Sequence, residues 1–250
     1  TELWGGPASK WPGNWQYEMW FNSDWSKDFT YSGGTWFSSQ GDDAGKSRSC
    51  WLSLGYRPSN AMRVSFSPNW RHSTPELQHY DNYEFGGEDR YLFASLEQHT
   101  LSFTFRIDYS LSPTLTVQYY GAPFISKQRY RDFKHIDDPM ADAYHDRWTA
   151  LTAEQANHDI AGNSLAVDED LDGTAEYTAS PDWDFRDFNS NLVLRWEYSP
   201  GSTVYLVWSQ SRGDGYLRQG DLAVGRDLER LFDTHPDNVF LIKFNKWFSL

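Results

Sequence analysis

The sequence predicts an all-β protein: the C-terminal portion of a larger antiparallel transmembrane β-barrel with long extracellular loops. Three observations carry this expectation. Apolar residues recur at every second position, the links between such runs alternate short and long, and the final run is rich in aromatic residues. The clearest run is "TLSFTFRIDYSLSPTLTVQYYG". Leu101, Phe103, Phe105, Ile107 and Tyr109 fall on one face, and Ser102, Thr104, Arg106, Asp108 and Ser110 on the other. A period of two is a strand. After the turn signal Ser112-Pro113-Thr114 the alternation resumes with Leu115, Val117 and Tyr119, which makes an antiparallel hairpin.

The other elements follow in order. Trp15, Tyr17, Met19 and Phe21 alternate with Gln16, Glu18, Trp20 and Asn22, and "SDWSK" leads to Phe29, Tyr31 and Phe37 opposite Thr30, Ser32 and Trp36. Leu52, Leu54 and Tyr56 oppose Ser53, Gly55 and Arg57. After "PSN", Met62, Val64, Phe66 and Trp70 oppose Arg63, Ser65, Ser67 and Arg71. From about Asp89 one strand runs through "RYLFASLEQHTLSFTFRIDYS", longer than the usual five or six residues, so its first half is expected to stand above a membrane. Leu192, Leu194, Trp196 and Tyr198 oppose Arg195 and Glu197, "SPGS" turns the chain, and Val204, Leu206 and Trp208 follow. In the last run, "NVFLIKFNKWFSL", Phe240, Ile242, Phe244 and Phe248 face out, and Lys246 can snorkel to headgroups near the strand end.

Such alternation has two readings, a sheet packed on a second sheet in a sandwich or a barrel wall facing lipid. Link length favours the barrel. "SDWSK", "PSN", "SLSPT" and "SPGS" are short, whereas 38–48, 73–88, 125–187 and 211–237 are long and carry much of the acidic charge. Outer-membrane barrels sort their connections in this way, with short periplasmic turns and long outer loops. The whole span 1–250 is therefore assigned to one barrel domain in the bacterial outer membrane. About nine strands are expected. Counting directions back from a descending last strand places residues 1–14 outside the cell. It also calls for upstream strands, from a separate fragment or a second chain, to complete the wall.

Composition narrows the partners. The net charge of −13 and the absence of a basic stripe exclude nucleic acid as an expected partner. The 13 Trp and 15 Tyr suit aromatic girdles or a sugar-binding surface, so the alternative is a secreted, aromatic-rich carbohydrate-binding or glycoside-hydrolase sandwich. The single cysteine, Cys50, forms no internal disulfide. No run of about 18 apolar residues could span a membrane as a helix.

The segments "RYLFASLEQHTLSFTFRIDYS", "LTVQYYGAPF", "FRDFNSNLVLRWEYSPGSTVYLVWSQ" and "HPDNVFLIKFNKWFSL" resemble the C-terminal barrel of a bacterial outer-membrane family described as domain of unknown function 5916. "NLVLRWEYSPGST" is the most specific piece. The resemblance implies a fold and an outer-membrane address but no reaction. Members of the family often carry an N-terminal carbohydrate-binding-like domain of family nine. No such module is expected among these 250 residues, so a sugar role does not carry over to them.

One motif carries chemistry. In "DEDLDGTAE", Asp168, Asp170 and Asp172 occupy alternate positions, Gly173 permits a sharp turn, and the Thr174 carbonyl and Glu176 can complete an oxygen shell for calcium. The twelfth position is Ala179, so this is a shorter loop than an EF-hand, with Asp182 and Asp184 nearby as extra oxygens. A solvated acidic hairpin tip is the plain alternative. The inward charges Glu18, Arg57, Arg63, Arg106, Asp108, Arg195, Glu197 and Lys243 suit an interior ion-pair network or a solute-selective lining. No nucleophile elbow, metal-binding histidine pair or phosphate-cradling loop is apparent, and the seven histidines are read as scattered through links. Catalysis is therefore not expected. An extracellular protein or glycan is the expected external partner.

Overall fold

In a computed structural model, which describes residues 8–215 and 220–248, the period-two runs become one large antiparallel sheet. Its path is β1 (Asn14–Asn22), β2 (Phe29–Gln40), β3 (Gly45–Ser59), β4 (Met62–Pro75), β6 (Glu88–Ser112), β7 (Leu115–Ile136), β12 (Trp183–Ser199), β13 (Ser202–Gly215) and β14 (Asp237–Asn245). The strands keep their sequence order along this path, with one strand off it between β4 and β6 and four short strands off it between β7 and β12. β5 (Gln78–Phe85) pairs with the upper part of β6, and β8 (Trp148–Ala150) with the upper part of β7. A separate three-stranded sheet is formed by β9 (Ala156–Asp159), β10 (Ser164–Val167) and β11 (Tyr177–Ala179). The fold class is all-β and antiparallel, with one helix, α1 (Val224–Asp233), in the link before β14. The two ends of the sheet path are β1 and β14.

Register puts the alternating residues into continuous rows. Ile107 lies opposite Val64 on one side and Tyr119 on the other, and Tyr119 opposes Leu192. Leu192 in turn opposes Trp208, which opposes Phe240. One face of the sheet is thus an unbroken apolar band. The opposite face is the sheltered one: Thr30, Ser32 and Ser38 are 6%, 4% and 7% exposed, whereas Phe29, Tyr31 and Phe37 on the band are 53%, 47% and 44% exposed.

The links differ in several ways from the expectation. The segment 38–48 is not a long loop, because β2 and β3 extend into it and leave a short 3-10 turn at Gly41–Asp43. The segment 73–88 contains β5, hairpinned to β6 through Gly86 and Gly87. Both glycines have positive φ (62° and 83°), which two-residue hairpin turns require. β7 runs on to Ile136, so the largest link is 137–182 and folds into β8 to β11. Strand β6, with 25 residues, is far longer than the roughly 9–11 residues that cross a bilayer. Its upper half supports a cap.

That cap has its own core. Leu96 and Tyr130 form a register pair, and they pack with Tyr83, Leu92, Phe133, Leu165 and Val167. Leu96 and Tyr130 lie on the same face as the polar rows below, so the small sheet leans over the sheltered side. Residues 8–13 run along the cap. Lys10 N donates to Pro139 O at 3.0 Å and Arg147 Nη1 to Lys10 O at 2.8 Å. This places the described part of the expected outer segment 1–14 at the long-link end, while residues 1–7 lie outside the described residues.

On the band side, α1 covers the wall above the apolar rows. β12 has no register shift between Trp183 and Glu197, so Asp184, Arg186 and Phe188 share the face of Leu192, Leu194 and Trp196. The polar part of that face is buried because the helix packs on it. Leu231 is fully buried, and the Phe188 and Phe232 rings meet at 5.1 Å.

Candidate functional site

The motif "DEDLDGTAE" is the tip of the β10–β11 hairpin. It is anchored by Asp168 N to Gln155 O at 2.8 Å and Glu176 N to Val167 O at 2.9 Å. Its carboxylates organise the backbone: Asp168 accepts from Asp172 N at 3.1 Å and from Gly173 N at 2.9 Å, and Asp172 accepts from Thr174 N at 2.7 Å. Gly173 adopts φ 91°, the turn expected of it, and Leu171 also takes a left-handed φ of 61°. Each of Asp168, Asp170, Asp172 and Glu176 offers one oxygen, and these oxygens lie within 4.8 Å of one another. That spacing fits a hard cation, which takes several oxygens at about 2.3–2.6 Å.

Asp182 and Asp184 are not part of this shell. Asp182 is fully buried, accepts from Tyr130 N at 2.9 Å and pairs with Arg131 at 3.0 Å. Asp184 pairs with Arg129 at 2.7 Å and Lys127 at 3.3 Å. Asp184 lies on the band face beneath α1, and both carboxylates are claimed by cations of β7.

Glu169, inside the motif, turns the other way. Its N–H donates to Glu176 Oε2 at 2.8 Å, while its carboxylate accepts from Arg90 Nε at 3.1 Å and from Tyr83 Oη at 3.2 Å. Tyr83 Oη also lies 2.6 Å from His135 Nε2. Burial holds the His135 imidazole below its ordinary value and pushes the Tyr83 phenol up, with the Glu169 charge raising the phenol further. Arg90, His135 and Glu169 border a cleft of about 320 Å³, lined also by Asp89, Asp137 and Pro139. The acidic tip and a charged cleft are thus mechanically joined through one residue.

The family described as "Domain of unknown function (DUF5916)" matches residues 5–248. The chain belongs to this family. No curated protein matches it. Among solved structures, the copper transporter OprC aligns with a TM-score of 0.50 over 92% of this chain, at 9% sequence identity. The siderophore receptor PiuA from Acinetobacter baumannii aligns with a TM-score of 0.42 over 92% of this chain, at 8% identity. The chain spans 33% of OprC and 38% of PiuA. At these identities the likeness to OprC is one of fold: the antiparallel wall of this family member is built like part of that transporter.

The eight charged residues expected inside all fall on the sheltered face, but they do not form one network. Among the described residues, Arg195 and Glu197 form the only ion pair within the set, at 3.0 Å. Asp108 instead accepts from Gln118 at 2.9 Å, Arg106 stacks over Tyr120 at 5.4 Å, and Lys243 over Tyr205 at 5.9 Å. Arg57, Arg63 and Asp108 border an open pocket of about 330 Å³ beside the short turn of β3 and β4. Glu18 lies on edge strand β1, every residue of which is exposed. Arg63 and Asp108 are register partners, yet Asp108 accepts from Gln118, and aromatic neighbours lie beside Arg106 and Lys243. The histidines also differ from the expectation: His72, His79, His99, His135 and His158 sit on strands, and only His145 and His235 lie between them.

Proposed function

We propose that this family member is the wall of an outer-membrane β-barrel whose cap presents a solute- or partner-binding surface outside the cell, in a channel, transporter or surface anchor. The observation that carries this reading is the apolar band, which no second sheet covers among the described residues. A sandwich would bury this face, and here Phe240, Ile242 and Phe244 are 76%, 62% and 70% exposed. The one large apolar core on the opposite side belongs to the cap. Lipid is the environment that makes such a band favourable, at about 25 cal/mol per Å² removed from water.

Among the described residues, no strand pairs with the outer edges of β1 and β14, and in the hydrocarbon region each unpaired backbone group costs several kcal/mol. Further strands, from the same or another chain, therefore complete the wall in this reading. The test is flotation of the folded protein with lipid vesicles, combined with heat-dependent migration on a gel. Protein that floats with lipid and shifts on heating supports a membrane wall, whereas detergent-free protein that stays monomeric and does not float overturns it.

Calcium has a defined place in this proposal. Asp168, Asp170, Asp172, the Thr174 carbonyl and Glu176 would hold it, neutralising their mutual repulsion and stiffening the β10–β11 tip. The sheet below contributes no ligand, so the barrel itself is expected to be independent of calcium. Limited proteolysis within 137–182 should increase with chelator and fall when calcium is returned. Asp168→Ala should be cut at the chelated rate in both conditions. Equal cutting of the native protein with and without calcium would make the tip an acidic turn alone.

A further inference from the structure

We infer that His72, Glu97 and His99 form a binding site for a divalent transition metal ion of the zinc or copper(II) class, distinct from the acidic tip. His72 and His99 are direct register partners across β4 and β6, and Glu97 lies two residues before His99 on the same strand face. Their ligand atoms lie within 4.8 Å of one another. Glu97 Oε1 lies 3.3 Å from His72 Nε2 and 3.3 Å from His99 Nε2.

That spacing is long for hydrogen bonds to a carboxylate, which shorten to about 2.7–2.9 Å when charge-assisted. It matches the edge of a tetrahedron with metal bonds of about 2.0–2.1 Å, whose ligand atoms sit about 3.3–3.4 Å apart. The donor set matches as well. Two imidazoles and one carboxylate suit zinc, copper or nickel, whereas calcium takes oxygen ligands in greater number. Three protein ligands leave a fourth position for water or an exogenous anion.

Aromatic neighbours surround the donors, and a small tilt of one ring out of the stack turns both nitrogens toward one ion. The two imidazole rings stack at 4.2 Å with an interplanar angle of 18°, His72 stacks on Trp70 at 6.2 Å, and Arg48 lies over Trp70 at 5.6 Å. Both histidine side chains are mostly shielded, at 15% and 32% exposure, while Glu97 is open to solvent at 55%. The site stands one row above Trp70 and Leu101, at the upper edge of the apolar band, with Glu97 exposed to solvent. This assignment rests on cross-strand geometry and does not require the membrane reading.

The test uses the full protein folded in detergent micelles at neutral pH, with zinc titrated against a chromophoric chelator. One zinc site is expected, weakened at least tenfold in Glu97→Gln and in His72→Gln/His99→Gln and unchanged in Asp168→Ala. Glu97→Gln preserves hydrogen-bonding capacity at an exposed position, so it reports on ligation without disturbing the fold. Copper(II) bound to the native protein at one equivalent should show electron paramagnetic resonance splitting from two imidazole nitrogens, lost in the double variant. Equal zinc affinity in native and Glu97→Gln protein, or an all-oxygen copper spectrum, overturns the site.

Discussion

Phe105→Arg is expected to block assembly of the wall, while Arg106→Gln leaves it intact. The two residues are neighbours on β6 and point to opposite faces. Phe105 opposes Phe66 and Gly121 in the middle of the apolar band, with its ring 6.2 Å from that of Tyr119. An arginine at a bilayer midplane in a barrel costs about 2–4 kcal/mol, and Phe105 has band residues on both sides that leave it nothing to pair with. Arg106 lies among Ser65 and Tyr120 on the sheltered face, and its removal forfeits one cation–π contact worth about 0.5–1 kcal/mol. The yield of heat-modifiable protein after refolding into vesicles measures both variants. Equal yields would mean that the band does not face lipid.

Removing the Asp227 carboxylate should have an effect of similar size at the other end of the wall. Asp227, fully buried on α1, lies 3.1 Å from Lys127 and 3.7 Å from Arg186, which are themselves almost completely shielded. Lys127 also pairs with Asp184 at 3.3 Å and donates to the carbonyls of Gly220 and Asp221. Asp227→Ala leaves buried cations short of counter-charge, a defect that costs about 3–5 kcal/mol when one member of a buried pair is lost. The helix should detach, seen as faster amide hydrogen exchange in 224–233 and in the upper part of β12. Replacing the pair together, as Asp227→Leu with Lys127→Met, should restore much of the protection, because a buried ion pair and an apolar pair of similar volume are often close in stability. Unchanged exchange in Asp227→Ala would mean that Leu231 and the Phe188–Phe232 contact hold the helix without the charges.

Much of the wall was legible in the sequence because its determinants are local. The alternation of Leu101, Phe103, Phe105 and Ile107 with Ser102, Thr104 and Arg106 defines a strand and its two faces within a few residues. Short turns such as "SPGS" oblige sequence neighbours to pair. The acidic tip was legible for the same reason, since Asp168 to Glu176 closes on itself between β10 and β11. The hairpin of β5 and β6 had a local signal too, the pair Gly86-Gly87 between "NYEF" and "EDRY", but it lay inside a segment read as a loop.

What the tertiary structure decided are the long-range pairings. His72 meets His99 only through the register of β4 on β6, Glu169 reaches Arg90 from a different sheet, and Lys127 finds Asp227 through a helix that folds back over the wall. Asp182 and Asp184, which by position alone could have served the acidic tip, are taken instead by Arg131, Arg129 and Lys127. A strand period determines which face a side chain occupies. Which charges meet across that face depends on register and on how the long links fold, and those are set by burial of the cap core and of α1, many residues away in sequence.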